Sequence, residues 1–105
     1  MNIQITSRKF KAKESLKEFI VAEISSLEKI SEEILDVDVI LSFQNQKDGK
    51  KEAEIIVKIP HKIITATESS DDFKKSVDLA VDKLVRQIRR IKTKRITNNR
   101  VEKSR

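Results

Sequence analysis

Hydrophobic and polar residues alternate at the start of the chain. Ile3 and Ile5 share one side of residues 2–6, which predicts a short strand. A basic connector follows, Arg8-Lys9-Phe10-Lys11-Ala12-Lys13. The period then lengthens. Leu16, Phe19, Ile20, Ile24 and Leu27 fall on one stripe of a helix over residues 14–30. Glu14 and Glu18 suit its positive N-terminal end, whereas Lys13 is a poor cap. Alternation returns at Val37, Val39, Leu41 and Phe43, against Asp36, Asp38, Ile40 and Ser42, and predicts a half-buried strand. The run Asn45-Gln46-Lys47-Asp48-Gly49-Lys50 carries the Asp-Gly pair of a hairpin turn, and Ala53, Ile55, Val57 and Ile59 mark the returning strand. Pro60-His61 ends it, because proline has no N–H for a central ladder. Residues 62–67 make a fourth strand with Ile64 and Ala66 inward. Ser69-Ser70-Asp71-Asp72 offers caps and first-turn acids for a long helix. Its stripe is Phe73, Val77, Ala80, Val81, Leu84, Ile88 and Ile91.

The predicted order is β-α-β-β-β-α, an α+β fold. Neither amphipathic helix can bury its stripe alone, so both are expected on one face of a four-stranded sheet. The other face would carry Ile40, Ile56, Ile63, Thr65 and Thr67 among charged neighbours. That face could form a small interaction patch, although ordinary apolar surface shaded by lysine stems is the plainer reading. The expected domain covers residues 1–95. Beyond Arg95 only Ile96 and Val101 are apolar, so residues 96–105 are expected to form a basic, mobile tail.

At 105 residues the chain has room for a single modest core. Charge is distributed unevenly. From Lys83 to Arg105 there are ten Lys/Arg and one acid, Glu102, whereas residues 1–82 hold thirteen basic and sixteen acidic residues. The overall +6 is therefore a local patch on a mildly acidic domain. Lys75, Arg86, Arg89 and Arg90 point away from the apolar stripe of the second helix, with Lys83 and Lys94 on one flank. Such a patch points to a polyanion, of which nucleic acid is the commonest. Four Phe with no Trp or Tyr argue against a single-strand binder built on aromatic platforms. No cysteine is present, so neither a disulfide nor a thiolate metal site is available, which fits a reducing compartment. With no apolar run of signal-peptide or membrane-span length, the chain is expected to be soluble and cytoplasmic.

Several blocks resemble the short ribosome hibernation-promoting factors, also called protein Y or ribosome-associated inhibitors. The opening Met1-Asn2-Ile3-Gln4-Ile5-Thr6-Ser7-Arg8 is similar to that family's first strand and turn. Leu16 with Phe19 and Ile20, and Leu27-Glu28-Lys29, resemble its first helix. The most specific block is Ala66-Thr67-Glu68, Asp72-Phe73, Val77-Asp78, Asp82-Lys83-Leu84 and Arg86-Gln87-Ile88. The resemblance covers about residues 1–95. It departs at Ser7, often glycine in the family, at Lys13, usually threonine, and at Phe73, usually tyrosine.

The resemblance implies the β-α-β-β-β-α fold, similar to a double-stranded RNA-binding domain, and a place in the decoding channel of the small ribosomal subunit. A protein lying there blocks messenger and transfer RNA and keeps ribosomes idle. Short forms lack the C-terminal domain through which long forms pair ribosomes, and this chain is expected to be one. It would act as a monomer off the ribosome, with a separate modulation factor as a possible partner in ribosome dimerisation. A rigid helix with Lys and Arg on one face can neutralise several closely spaced phosphates, with arginine forks making bidentate contacts. Lys83, Arg86, Arg89 and Arg90 are the expected central set. Lys75, Lys94 and Arg95 extend it, and Arg8 and Lys9 join if the first turn sits beside the helix.

Catalysis finds little support. His61 is the only histidine and stands beside Pro60, which makes a poor metal set. Glu32-Glu33, Asp36/Asp38 and Asp71-Asp72 are better explained by capping and solubility than by acid–base work. Gly49 is the only glycine, so there is no glycine-rich phosphate loop. The expectation is a non-enzyme without metal or cofactor. Two rivals stay open: a generic double-stranded RNA-binding module, and a protein-directed regulator of the sigma-factor modulation type. A membrane-surface helix is disfavoured, because the second helix needs its stripe for the core.

Overall fold

A computed structural model describes the backbone of residues 1–45 and 49–103, with side chains described at 1–44 and 49–92. Four strands form one mixed sheet in the order β1-β2-β3-β4. Strand β1 (Asn2–Ser7) runs parallel to β2 (Asp36–Asn45), with Ile3 opposite Val37 and Ile5 opposite Val39. A parallel pair needs a crossover, and helix α1 (Glu14–Ser25) supplies it. The single helix expected to reach residue 30 ends in a tighter 3₁₀ turn, Ser26–Lys29. The Ser26 hydroxyl donates to the Glu23 carbonyl at 2.6 Å, and the N–H groups of Ile30 and Ser31 both close on the Leu27 carbonyl. Lys13 indeed contributes no side-chain cap. It is extended, and its carbonyl accepts from Leu16 and Lys17.

Strands β2 and β3 (Lys50–Ile59) form an antiparallel hairpin, and β4 (Lys62–Ser70) returns beside β3. The pairing of β2 with β3 shifts register between Phe43 and Asn45. The Asp48 of the expected hairpin turn lies outside the described residues, and Gly49 after it has φ +62°, the left-handed conformation for which glycine is suited. Pro60 and His61 form a two-residue turn between the paired Ile59 and Lys62. His61 takes φ +66° where glycine is usual.

Helix α2 (Phe73–Lys103) lies over β3 and β4 and against α1. Asp72 caps it, its Oδ1 accepting the Lys74 N–H at 3.2 Å. The core is the layer between sheet and helices. Val37, Val39, Leu41, Ala53, Ile55, Val57, Ile64 and Ala66 face Ile20, Ile24 and Leu27 of α1, and Val77, Ala80, Val81, Leu84 and Ile88 of α2. Both helices thus cover one sheet face, as expected. Ser76 was not foreseen as an inward residue, yet it is fully buried. Its hydroxyl donates to the Lys51 carbonyl at 2.6 Å and lies 2.7 Å from the Ser70 hydroxyl, tying α2 to β3 and β4.

On the open face, Ile40 sits opposite Glu54, which in turn faces Thr67, and Ile56 sits between Asp38 and Thr65. Each half-buried isoleucine thus has a carboxylate directly across from it, and Ile63, 63% exposed, sits toward the edge beside Lys58. The apolar residues of this face are thus interspersed with charge.

Candidate nucleic-acid interface

Helix α2 places its side chains by its periodicity, because one stripe is committed to the core. On the flank toward α1 stand Lys74, Asp78, Arg89 and Lys92. On the flank toward β4 stand Lys83, Gln87 and Arg90. The crest between them carries Lys75, Leu79, Asp82 and Arg86, all exposed. Contacts agree with this division. Gln87 Nε2 donates to the Thr65 carbonyl of β4 at 3.2 Å, and Lys83 Nζ lies 2.5 Å from Glu68 Oε1. On the opposite flank Lys92 Nζ donates to the Ile30 carbonyl at the end of the 3₁₀ turn.

These contacts sort the expected basic residues. Arg86, Arg89 and Arg90 are exposed and gathered within about one helical turn, a span of roughly 6 Å along the axis. Lys83 belongs to the same stretch but shares its charge with Glu68. Among the described residues no ion pair holds Lys75, Arg86 or Arg90. The side chains of Lys94 and Arg95 lie outside the described residues. Lys92, which was not in the expected set, anchors α2 to the 3₁₀ turn. Its spacing from Lys74, Val85 and Arg89 on the α1-facing flank was the available signal.

The basic track is not continuous. Lys75 stands eleven residues before Arg86, about 16 Å along the axis, and Leu79 and Asp82 occupy the crest between them. Beside that gap, Glu23 of α1 meets Asp78 and Asp82. Partial burial and then these two carboxylates hold the Glu23 pKa above its ordinary 4.5. Acidic charge at mid-helix therefore separates the arginine stretch from a second basic group at the N-terminal end of α2.

Arg8 and Lys9 belong to that second group. Ser7 remains in β1, the Arg8 N–H donates to the Leu41 carbonyl at 2.9 Å, and the left-handed step falls on Lys9 at φ +63°. The left-handed residue of this turn thus comes two positions after Ser7, the position that is often glycine in the family. Phe10 then stacks on Phe73, centroids 5.0 Å apart, so the first turn sits beside the start of α2 and far from Arg86.

Among the described residues, no three His, Asp or Glu side chains converge on a metal site, and no helix is long and apolar enough to cross a membrane. What the arrangement offers is a rigid, cationic helix surface fixed to the sheet by Gln87 and the Ser76 hydroxyl, and to the 3₁₀ turn by Lys92. On an α+β domain, such a surface is suited to a polyanion.

Residues 3–96 match the family model described as Sigma 54 modulation protein / S30EA ribosomal protein, and the chain belongs to that family. The ribosome hibernation promotion factor of Deinococcus radiodurans is 28% identical over 93 residues, covering 87% of this chain and 49% of that protein. Its namesake in Bacillus subtilis is 28% identical over 94 residues, covering 90% and 50%. This chain therefore spans about half the length of these curated relatives. Among solved structures, a ribosomal subunit interface protein from Coxiella burnetii superposes with a TM-score of 0.80 at 29% identity, covering 89% of this chain and 99% of that one. The N-terminal domain of Thermus thermophilus Protein Y gives 0.76 at 26% identity, covering 87% and 99%.

Proposed function

We propose that this domain is a ribosome hibernation factor that lies in the decoding channel of the small ribosomal subunit. It blocks messenger and transfer RNA there and acts in the cytoplasm without catalysis. The observation that carries the reading is the arginine stretch of α2, Arg86, Arg89 and Arg90, held on the outer side of a packed helix in a chain of this family. Ribosomal RNA presents closely spaced phosphates, and such a surface neutralises several of them without reading sequence. Specificity then comes from the shape of the channel, which suits a rigid domain better than a mobile peptide. Lys83 contributes at the margin, since binding must compete with Glu68. Lys94 and Arg95, whose side chains lie outside the described residues, are the further basic residues expected to contribute. A separate modulation factor is the partner expected if dimeric ribosomes form.

The deciding experiment is sedimentation with purified small subunits, with and without messenger and initiator transfer RNA. Co-sedimentation that is lost on adding those ligands is the expected result. Binding to free duplex RNA but not to subunits would replace this reading with a generic RNA-binding module. Binding to neither would leave a protein-directed regulator. The double charge reversal Arg86→Glu/Arg89→Glu is expected to abolish subunit binding while leaving the circular dichroism spectrum unchanged.

A further inference from the structure

Three of the four phenylalanines in the chain meet at one place. Phe10, from the connector after β1, stacks on Phe73 at the start of α2 with the ring planes 9° apart. Phe43, near the end of β2, meets both rings edge to face, at 5.1 and 5.3 Å. Phe73 is buried, yet Phe43 is 48% exposed. It continues the inward-facing alternation of Val37, Val39 and Leu41, so it lies on the helix side of the sheet, beyond the end of the helical cover. A large ring left half open is costly in water unless something covers it.

The surroundings indicate the chemistry of that cover. Phe43 borders a cleft of about 390 Å³ that includes Lys11, Lys13, Lys51 and Lys74, with Asp72 its only acid. That volume falls within the range of ~300–1,000 Å³ typical of ligand clefts. Phe43 also borders a second cleft, with Arg8 and Lys9. Lys51 Nζ lies 5.9 Å from the Phe73 ring centroid, so cation and ring already share the space. An apolar ring bordering two cationic clefts matches a nucleotide: the base has a π-face to stack, and the phosphates on either side need neutralising.

We propose that Phe43 is a stacking site for an unpaired base of single-stranded RNA, with Arg8 and Lys9 of one cleft and Lys11, Lys13, Lys51 and Lys74 of the other holding the flanking phosphates. It is a second RNA contact, separate from the arginine stretch, and it rests on the reading of this domain as a ribosome binder. It also gives a role to Arg8 and Lys9, which the position of the first turn removes from the arginines of α2. A low ring count spoke against an array of aromatic platforms, but one platform needs only one open ring.

The test uses the absence of Trp and Tyr from the chain. In the variant Phe43→Trp the indole is the sole emitter, and a base stacked on it quenches its fluorescence. The full-length variant is titrated with hexaadenylate, with inorganic polyphosphate of similar charge, and with a 16-base-pair RNA duplex. Saturable quenching by hexaadenylate alone is expected. No quenching, or equal quenching by polyphosphate or duplex, overturns the proposal. Phe43→Leu, which keeps apolar cover, is expected to bind hexaadenylate about 5- to 150-fold more weakly, the range seen when a stacking ring is removed. Unchanged affinity in that variant, with folding verified by its melting temperature, overturns it equally. Adding Arg86→Glu/Arg89→Glu to Phe43→Trp separates the two sites. Quenching that survives while subunit binding is lost supports an independent site, whereas its loss in a folded protein assigns the RNA contact to α2 alone.

Discussion

Replacing Arg86 and Arg90 with glutamine should change how salt controls subunit binding, and the size of the change follows from geometry. Besides Lys92, which is tied to the Ile30 carbonyl, four cationic side chains, Lys83, Arg86, Arg89 and Arg90, occupy the C-terminal half of the described part of α2. If each neutralises one phosphate, the logarithm of affinity falls with the logarithm of salt at a slope of about −2.8 to −3.6. Raising salt from 50 to 200 mM would then weaken binding by roughly 50- to 150-fold. With two contacts left, the slope becomes about −1.4 to −1.8 and the loss over the same range only roughly 7- to 12-fold. Fluorescence anisotropy of labelled protein with purified small subunits, at fixed magnesium, measures both slopes. Arg86 and Arg90 are exposed and have no ion pair among the described residues, and glutamine is a comparable helix former, so the fold should not change. Glu68→Gln is the converse perturbation. It releases Lys83 and should strengthen binding by up to about fivefold, the upper worth of an exposed pair. A double variant that keeps the wild-type slope, with an unchanged melting curve, would refute the assignment of phosphate contacts to this stretch.

Two further predictions concern the scaffold. Glu23 has a pKa raised in the folded state by burial and by Asp78 and Asp82, so its contribution is favourable below its unfolded value of 4.5 and is lost as pH rises through the folded value. Glu23→Gln should therefore raise the melting temperature at pH 7, by the few tenths of a kcal/mol typical of half-exposed like charges, and the gain should vanish below about pH 4.5. A gain that is the same at both pH values would count against the carboxylate cluster. Ser76→Ala leaves the Lys51 carbonyl and the Ser70 hydroxyl without their shared partner, and should cost about 1–3 kcal/mol. Thermal denaturation would register about 4–8 °C for each kcal/mol, and a shift below about 2 °C would mean that water replaces the hydroxyl at no cost.

Periodicity along the chain was enough to determine the elements and their inward faces. Val37, Val39 and Leu41, or Val77, Leu84 and Ile88, can be buried only on one side of a strand or helix, so alternation and helical spacing named the core before any contact was known. The α+β order followed, because two amphipathic helices and four short strands have one economical way of sharing a core. The excess of Lys and Arg after Lys83 was equally legible, since it is a property of composition. Distance between elements was not. Lys83 lost part of its charge to Glu68 on β4, and Lys92, inconspicuous in the sequence, became an anchor to the 3₁₀ turn. Ser76 looked like any polar helix residue until the packing of α2 on β3 and β4 enclosed it. Arg8 and Lys9 were separated from the arginines of α2 only when Phe10 stacked on Phe73. Phe10, Phe43 and Phe73 are thirty or more residues apart in pairs, so no local pattern could bring them together. Local periodicity encodes which way a side chain faces, whereas the pairing of strands and the docking of helices decide what it meets.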